Sequence, residues 1–163
     1  MRPLSEPDIR ASFVNCSKGE AKRIALPRDL AERPWPDLDF LGWRDPGTLD
    51  RAYLVAPAGD ELVGITLRIA TQQRGFLHRN MCSLCLTTHP GTGVSLMTGR
   101  RAGEAGRRGD SVGSYICTDL ACSLYVRGLR TPDAGGGPRE TLSVQEKVER
   151  TRGKLAAFLA RIV

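Results

Sequence analysis

At 163 residues and 40% hydrophobic content the chain suits one compact domain with a core of ordinary size. No apolar run approaches the ~20 residues of a membrane helix, no apolar leader follows Met1, and no basic amphipathic helix is long enough for a membrane surface. Twenty-four basic against 18 acidic side chains leave a formal charge of +6. The expectation is a soluble cytoplasmic protein with no membrane partner.

In chain order, Ser5-Glu6-Pro7-Asp8 reads as a helix start, with Ser5 as cap and acids at the positive end of the helix dipole. Ile9 and Phe13 share a face, and Lys18-Gly19 is the expected stop. Pro27, Pro34, Pro36 and Pro46 exclude a long helix between Ile24 and Pro46. They predict an extended segment pinned by Trp35, Phe40, Leu41 and Trp43. Residues 52–56 and 62–69 read as strands around the hairpin signal Pro57-Ala58-Gly59-Asp60, with Val63, Ile65, Leu67 and Ile69 alternating onto one side. Two more strands, Gly93 to Thr98 and Ser111 to Cys117, flank Gly99 to Gly109, which is expected to be a mobile Gly- and Arg-rich loop. Thr118 to Gly128 reads as a helix capped by Thr118 or Asp119 and stopped by Gly128. After the Gly/Pro linker 131–142, Ser143 and Glu146 form a capping box. Val144, Val148, Leu155, Leu159 and Ile162 then make a stripe that packs on the sheet.

The fold class expected is α+β: a small antiparallel sheet carrying a treble-clef zinc finger, a short N-terminal helix and a C-terminal amphipathic helix. The expected divisions are 1–34 (helix and extended segment), 35–130 (zinc-finger domain), 131–142 (linker) and 143–163 (a helix packed on the domain).

Cys82 and Cys85 are followed, after 31 intervening residues, by Cys117 and Cys122. Two close thiol pairs separated by a hairpin-sized insert give the four-sulfur tetrahedral cage that zinc prefers, although iron also occupies such cages. A disulfide framework would suit a secreted chain and would leave Cys16 over. A thioredoxin-like motif would not need the second pair. Four sulfurs leave no open position for water, so one structural zinc ion is expected, with Cys82, Cys85, Cys117 and Cys122 as ligands. Cys16 lies outside the cluster. Cys122 is expected in the first turn of its helix, where the dipole favours thiolate.

Charge is concentrated around these cysteines. From Arg74 to Arg130 there are eight arginines, no lysine and three acids, so this region carries +5 of the +6. Arginine rather than lysine favours planar, multi-donor recognition of carboxylate or phosphate.

The runs Phe40-Leu41-Gly42-Trp43-Arg44-Asp45-Pro46, Met81-Cys82-Ser83-Leu84-Cys85, Gly93-Val94-Ser95-Leu96-Met97, Arg100-Arg101-Ala102-Gly103 and Ser114 to Gly128 resemble the C-terminal treble-clef zinc-finger domain of elongation-factor-G-binding proteins of the fusidic-acid-resistance type. The resemblance spans about residues 35–130. It implies that the four cysteines bind zinc and that the domain grips elongation factor G, promoting its release from the ribosome when the drug traps it, with no chemistry on any small molecule. It places the partner surface on this domain, and exposure, charge and position select Tyr115, Arg100, Arg101, Arg107 and Arg108 for it. In place of the helical bundle that precedes the zinc domain in the resistance proteins, one short helix is expected here. The rival reading is an RNA-binding zinc module using the arginine-rich loop, with the ribosome or RNA as partner; an aromatic content of 6% weighs against it. His78 and His89 read as loop residues beside the first pair, and no P-loop, nucleophile elbow or paired-carboxylate motif points to an enzyme.

Overall fold

The structure, a computed structural model, describes residues 1–70, 80–132 and 140–163. Arg74, His78 and Arg79, and residues 133–139 of the expected linker, lie outside the described residues.

Helix α1 (Glu6–Ser12) starts where expected, with Ser5 Oγ accepting the Asp8 N–H and the Asp8 carboxylate accepting the Ser5 N–H. These bonds satisfy donors that a helix start otherwise leaves bare. Lys18-Gly19 does not stop it. The helix ends at Ser12, and Lys18 instead opens α2 (Lys18–Arg23), capped reciprocally by Ser17 and Glu20. That capping box outweighs the poor helix propensity of Gly19. Arg10 joins the two helices, its Nη1 donating to the carbonyls of Ala21, Lys22 and Ile24 at 2.9, 2.7 and 3.1 Å.

The proline-rich stretch is more structured than the expected extended segment. It forms 3₁₀ turns at Leu30–Glu32 and Trp35–Asp37 and then an edge strand, β1 (Leu41–Arg44). Trp35, Phe40, Leu41 and Trp43 are all buried, as their apolar character predicts. Strands β2 (Arg51–Ala58) and β3 (Glu61–Ile69) form the expected hairpin, with Pro57 and Ala58 still paired and only Gly59-Asp60 turning. A two-stranded ribbon, β4 (Asn80–Met81) with β5 (Thr88–His89), separates these from β6 (Val94–Arg100). Then come α3 (Gly103–Arg107), β7 (Ser111–Cys117), α4 (Cys122–Val126) and α5 (Val144–Ala160). The main sheet has the order β1-β2-β3-β6-β7 with every neighbour antiparallel, so the expected α+β class holds.

Strand β2 shows how this sheet is buried on both faces. Ala52, Leu54 and Ala56 enter one core with Ile65, Leu67, Met97, the four cysteines and α5, while Tyr53 and Val55 enter a second with Ile9, Trp35, Leu41 and Trp43. That is the two-residue period of a strand read on both sides. In the second core Phe13 meets Trp43 and Tyr53 edge-on, at ring separations of 6.4 and 6.1 Å.

Strand β3 pairs with β6 only at Arg68↔Thr98 and Ile69↔Met97. Residues 13–15 occupy the rest of its edge. The Val14 N–H donates to the Gly64 carbonyl at 2.9 Å. Asn15 acts as a substitute strand, accepting the Thr66 N–H at 2.7 Å and donating from Nδ2 to the carbonyls of Thr66 and Arg100 at 3.0 Å each. At the other end of the chain, the Ser143–Glu146 capping box starts α5 as expected. Val148, Leu155, Leu159 and Ile162 are buried with Thr151 and Phe158. Val144, expected in the same stripe, stands in the first turn and is exposed.

Candidate metal centre

Both cysteine pairs sit on turns that bend the backbone sharply. After Cys82, which follows β4, the Leu86 N–H returns to the Cys82 carbonyl at 3.0 Å and Leu86 adopts φ +59°. After Cys117, which ends β7, the Leu120 N–H returns to the Cys117 carbonyl at 2.8 Å and Leu120 adopts φ +57°. Residues 118–121 are therefore a turn and not the first turn of a helix. Thr118 caps nothing; its Oγ1 donates to the Thr92 carbonyl at 2.6 Å, while Asp119 accepts the Ala121 N–H at 3.1 Å. The helix shortens to α4, with Cys122 as its first residue and Gly128 at φ +69° just beyond it, so the expected placement of Cys122 and the Gly128 stop both hold. The left-handed leucine is what brings two sulfurs five residues apart to one point.

The four Sγ atoms lie within 4.8 Å of one another and all four residues are buried. Cys82 and Cys122 are 3.7 Å apart and Cys85 and Cys117 3.5 Å. A tetrahedron with zinc–sulfur bonds of about 2.3 Å has edges of about 3.8 Å, so the arrangement fits that ion. The thiols are free rather than bridged. Hydrogen bonds from Cys117 and Cys122 push the Cys82 thiol far below its ordinary value, whereas Cys117 and Cys82 push Cys122 far above. Sulfurs this close, out of water, cannot all ionise unless a cation compensates them. Cys16 stands apart and half-buried, its pKa raised by burial and by Glu20.

His89 was expected to be a loop residue. It is buried in β5, with Nε2 in hydrogen-bond contact with Cys117 Sγ at 3.3 Å; with that nitrogen protonated, the ring donates to the sulfur. Its ring meets Tyr125 edge-on at 4.7 Å, and the Tyr125 hydroxyl donates to Asp119 at 2.8 Å. Burial and that bond raise the Tyr125 pKa. The only sequence signal for His89 was its position four residues after Cys85.

Tyr115 is 48% exposed beside this centre, its carbonyl accepting the Ser83 N–H at 2.7 Å. Met81, at 46% exposure, is a neighbouring exposed apolar side chain that the sequence reading passed over. Arg100 lies four residues along the β6–β7 pairing from the level of Tyr115, about 13 Å away, and the arginines are not equivalent. Arg127 grips buried Asp39 at 2.6 and 3.0 Å, Arg130 pairs with Asp119, and Arg108 pairs with Glu104. Arg100, Arg101 and Arg107 together line a cavity. The segment Gly99 to Gly109 is not the loose loop expected: Arg100 ends β6, residues 103–107 form α3, and the Arg101 N–H bonds the Asp110 carbonyl at 2.9 Å.

A cysteine knuckle, a β-hairpin and a cysteine pair at a strand–helix junction define a treble-clef metal centre. Residues 8–162 match the family described as FBP C-terminal treble-clef zinc-finger, and the chain belongs to that family. The match is wider than the 35–130 span of the resemblance because residues 8–34 and α5 are parts of it. The chain is also similar to the structure of the fusidic acid resistance protein FusC, with a TM-score of 0.54, 19% identity and 91% of this chain covered. It spans 59% of the length of FusC, and at that identity the likeness speaks to fold. No curated protein sequence matches the chain. Among the described residues no helix is long and apolar enough to cross a membrane.

Proposed function

We propose that this chain is a zinc-stabilised binding protein of the cytoplasm that engages elongation factor G and promotes its release from the ribosome, giving tolerance to fusidic acid. The observation that carries the reading is the family match over residues 8–162 around a complete four-sulfur cage. Cys82, Cys85, Cys117 and Cys122 would hold one zinc ion, whose role is to lock two knuckles together. With all four positions taken by sulfur, no site is left for a bound water to react.

Exposed Tyr115 and Met81 supply apolar contact next to this rigid point, and the arginines supply steering that weakens with salt. Such a protein speeds release only by binding one conformation of the factor better than another, and it shifts that equilibrium by no more than its preference between them. The test is a calorimetric titration against elongation factor G from the same organism, with transfer RNA titrated in parallel at two salt concentrations. Saturable one-to-one binding to the factor is expected. Binding to RNA alone, falling steeply with salt, would overturn the reading.

A further inference from the structure

Beneath the arginine turn lies a cavity of about 400 Å³, walled on one side by residues 14–17 and Glu20 and on the other by Arg100, Arg101 and Arg107. Both walls are fixed. Asn15 ties the first wall to β3 and to the Arg100 carbonyl. The second is a turn closed on itself: a Cβ at Gly106 would stand 1.7 Å from the Arg101 carbonyl oxygen, so only glycine fits. The Asp110 N–H also bonds Ala105 at 3.1 Å, and the Ala102 N–H bonds the Ile162 carbonyl.

Among the described residues the guanidinium groups of Arg100, Arg101 and Arg107 make no ion pair or hydrogen bond, whereas Arg10, Arg33, Arg108, Arg127, Arg130, Arg150 and Arg152 each meet a carboxylate. Among the described residues the one acid in the wall, Glu20, has one oxygen bound to both the N–H and the Oγ of Ser17, at 2.8 and 2.7 Å. Three uncommitted cations thus converge on a preformed space, the arrangement in which planar guanidinium forks pair with anions at little ordering cost. Among the described residues no aromatic side chain lines the cavity, and none of them offers bases a ring to stack on. Burial and the Glu20 charge raise the pKa of the Cys16 thiol in the wall, which makes it a poorer nucleophile than an ordinary cysteine.

We propose that this groove binds the side-chain carboxylates of an extended acidic segment of a partner protein. The proposal rests on the partner-binding function above and assigns Arg100, Arg101 and Arg107 their part in it, separate from that of Tyr115.

The test is fluorescence anisotropy with a labelled poly-glutamate peptide and, in parallel, a uridine oligonucleotide of equal charge. The full chain is compared with Arg100→Ala/Arg107→Ala, with the charge-keeping Arg100→Lys/Arg107→Lys, and with Arg28→Ala/Arg68→Ala, which removes two exposed arginines outside the groove. Loss of two charge-assisted contacts should weaken peptide binding about tenfold or more, the lysine pair should restore only part of it, and the outside pair should change it less than about twofold. Equal loss in the outside pair, or tighter binding of the oligonucleotide than of the peptide, would overturn the groove. Titrating elongation factor G separates the two readings. If the factor binds wild type and the groove variant alike, the groove proposal fails and the function stands. If the peptide binds at the groove and the factor does not bind wild type, the function fails and the groove stands.

Discussion

Cys117 has a contact that the other three cysteines of the cluster are not shown to share: a ring nitrogen of His89 stands 3.3 Å from its sulfur, packed there by Tyr125 and Gly93. An N–H aimed at a metal-bound thiolate fixes the ligand's orientation and takes up part of its charge, and such outer contacts are typically worth about 10–100-fold in metal affinity. His89→Ala should therefore speed zinc transfer to a chromogenic chelator by about tenfold, while His89→Gln, which keeps an N–H donor, should recover part of the loss. Equal transfer rates for wild type and His89→Ala would remove His89 from the centre. The cysteine cage was legible in the sequence because ligand spacing is a local property. The role of His89 was not, since it depends on the hairpin carrying residue 117 back to residue 89. The same folding closes the arginine segment, where an abundance of glycine suggested mobility and Gly106 in fact permits close backbone packing.

Between elements, Asp39 is the main tie. Its fully buried carboxylate accepts two bonds from Arg127, just past α4, and one at 2.7 Å from Arg152 on α5, while its N–H donates to Ser123 Oγ on α4 at 3.0 Å. This tie holds from behind the helix that carries Cys122. Burial alone would raise the Asp39 pKa, but the bonds from Arg127 and Arg152 outweigh it and leave the pKa below the ordinary 3.8. A depressed native pKa means that the carboxylate stabilises the fold fully above its unfolded value, and that this contribution is lost as pH falls through the lower native value. Asp39→Asn leaves largely buried Arg127 without its counter-charge and should cost about 3 kcal/mol at neutral pH by chemical denaturation. The gap to wild type should close as pH falls below about 3.8. A constant gap across that range would show that Asp39 is not the group responsible. The tie joins residues 88 apart in sequence, so no periodicity could have announced it. Strands β2, β3, β6 and β7, the Ser5 cap, the Ser143 capping box and the α5 stripe beyond Val144 were legible, because each is written within a few residues. The second N-terminal helix carried the same signal at Ser17 and Glu20, hidden behind Gly19.

For the molecule as a whole, the sheet separates two apolar cores, and the cysteine cage closes the one that also holds α5. A structural four-sulfur zinc site supplies about 10 kcal/mol or more of folding free energy at neutral pH, against a net stability of about 5–15 kcal/mol for an ordinary domain. The metal is thus expected to decide whether the cysteine side of the sheet folds at all. The exposed surface it supports has two parts, Tyr115 with Met81 beside the cage and the arginine groove further along the hairpin, and both need the β6–β7 hairpin in place. The most direct test is to measure bound metal in the purified protein, strip it with a chelator, and follow near-ultraviolet circular dichroism and elongation factor G binding on the same sample, with Cys117→Ser alongside. The account predicts one zinc per chain, loss of tertiary signal and of binding together on stripping, recovery of both on adding zinc, and an unfolded Cys117→Ser variant. A metal-free protein that kept its fold and its affinity for the factor would contradict it.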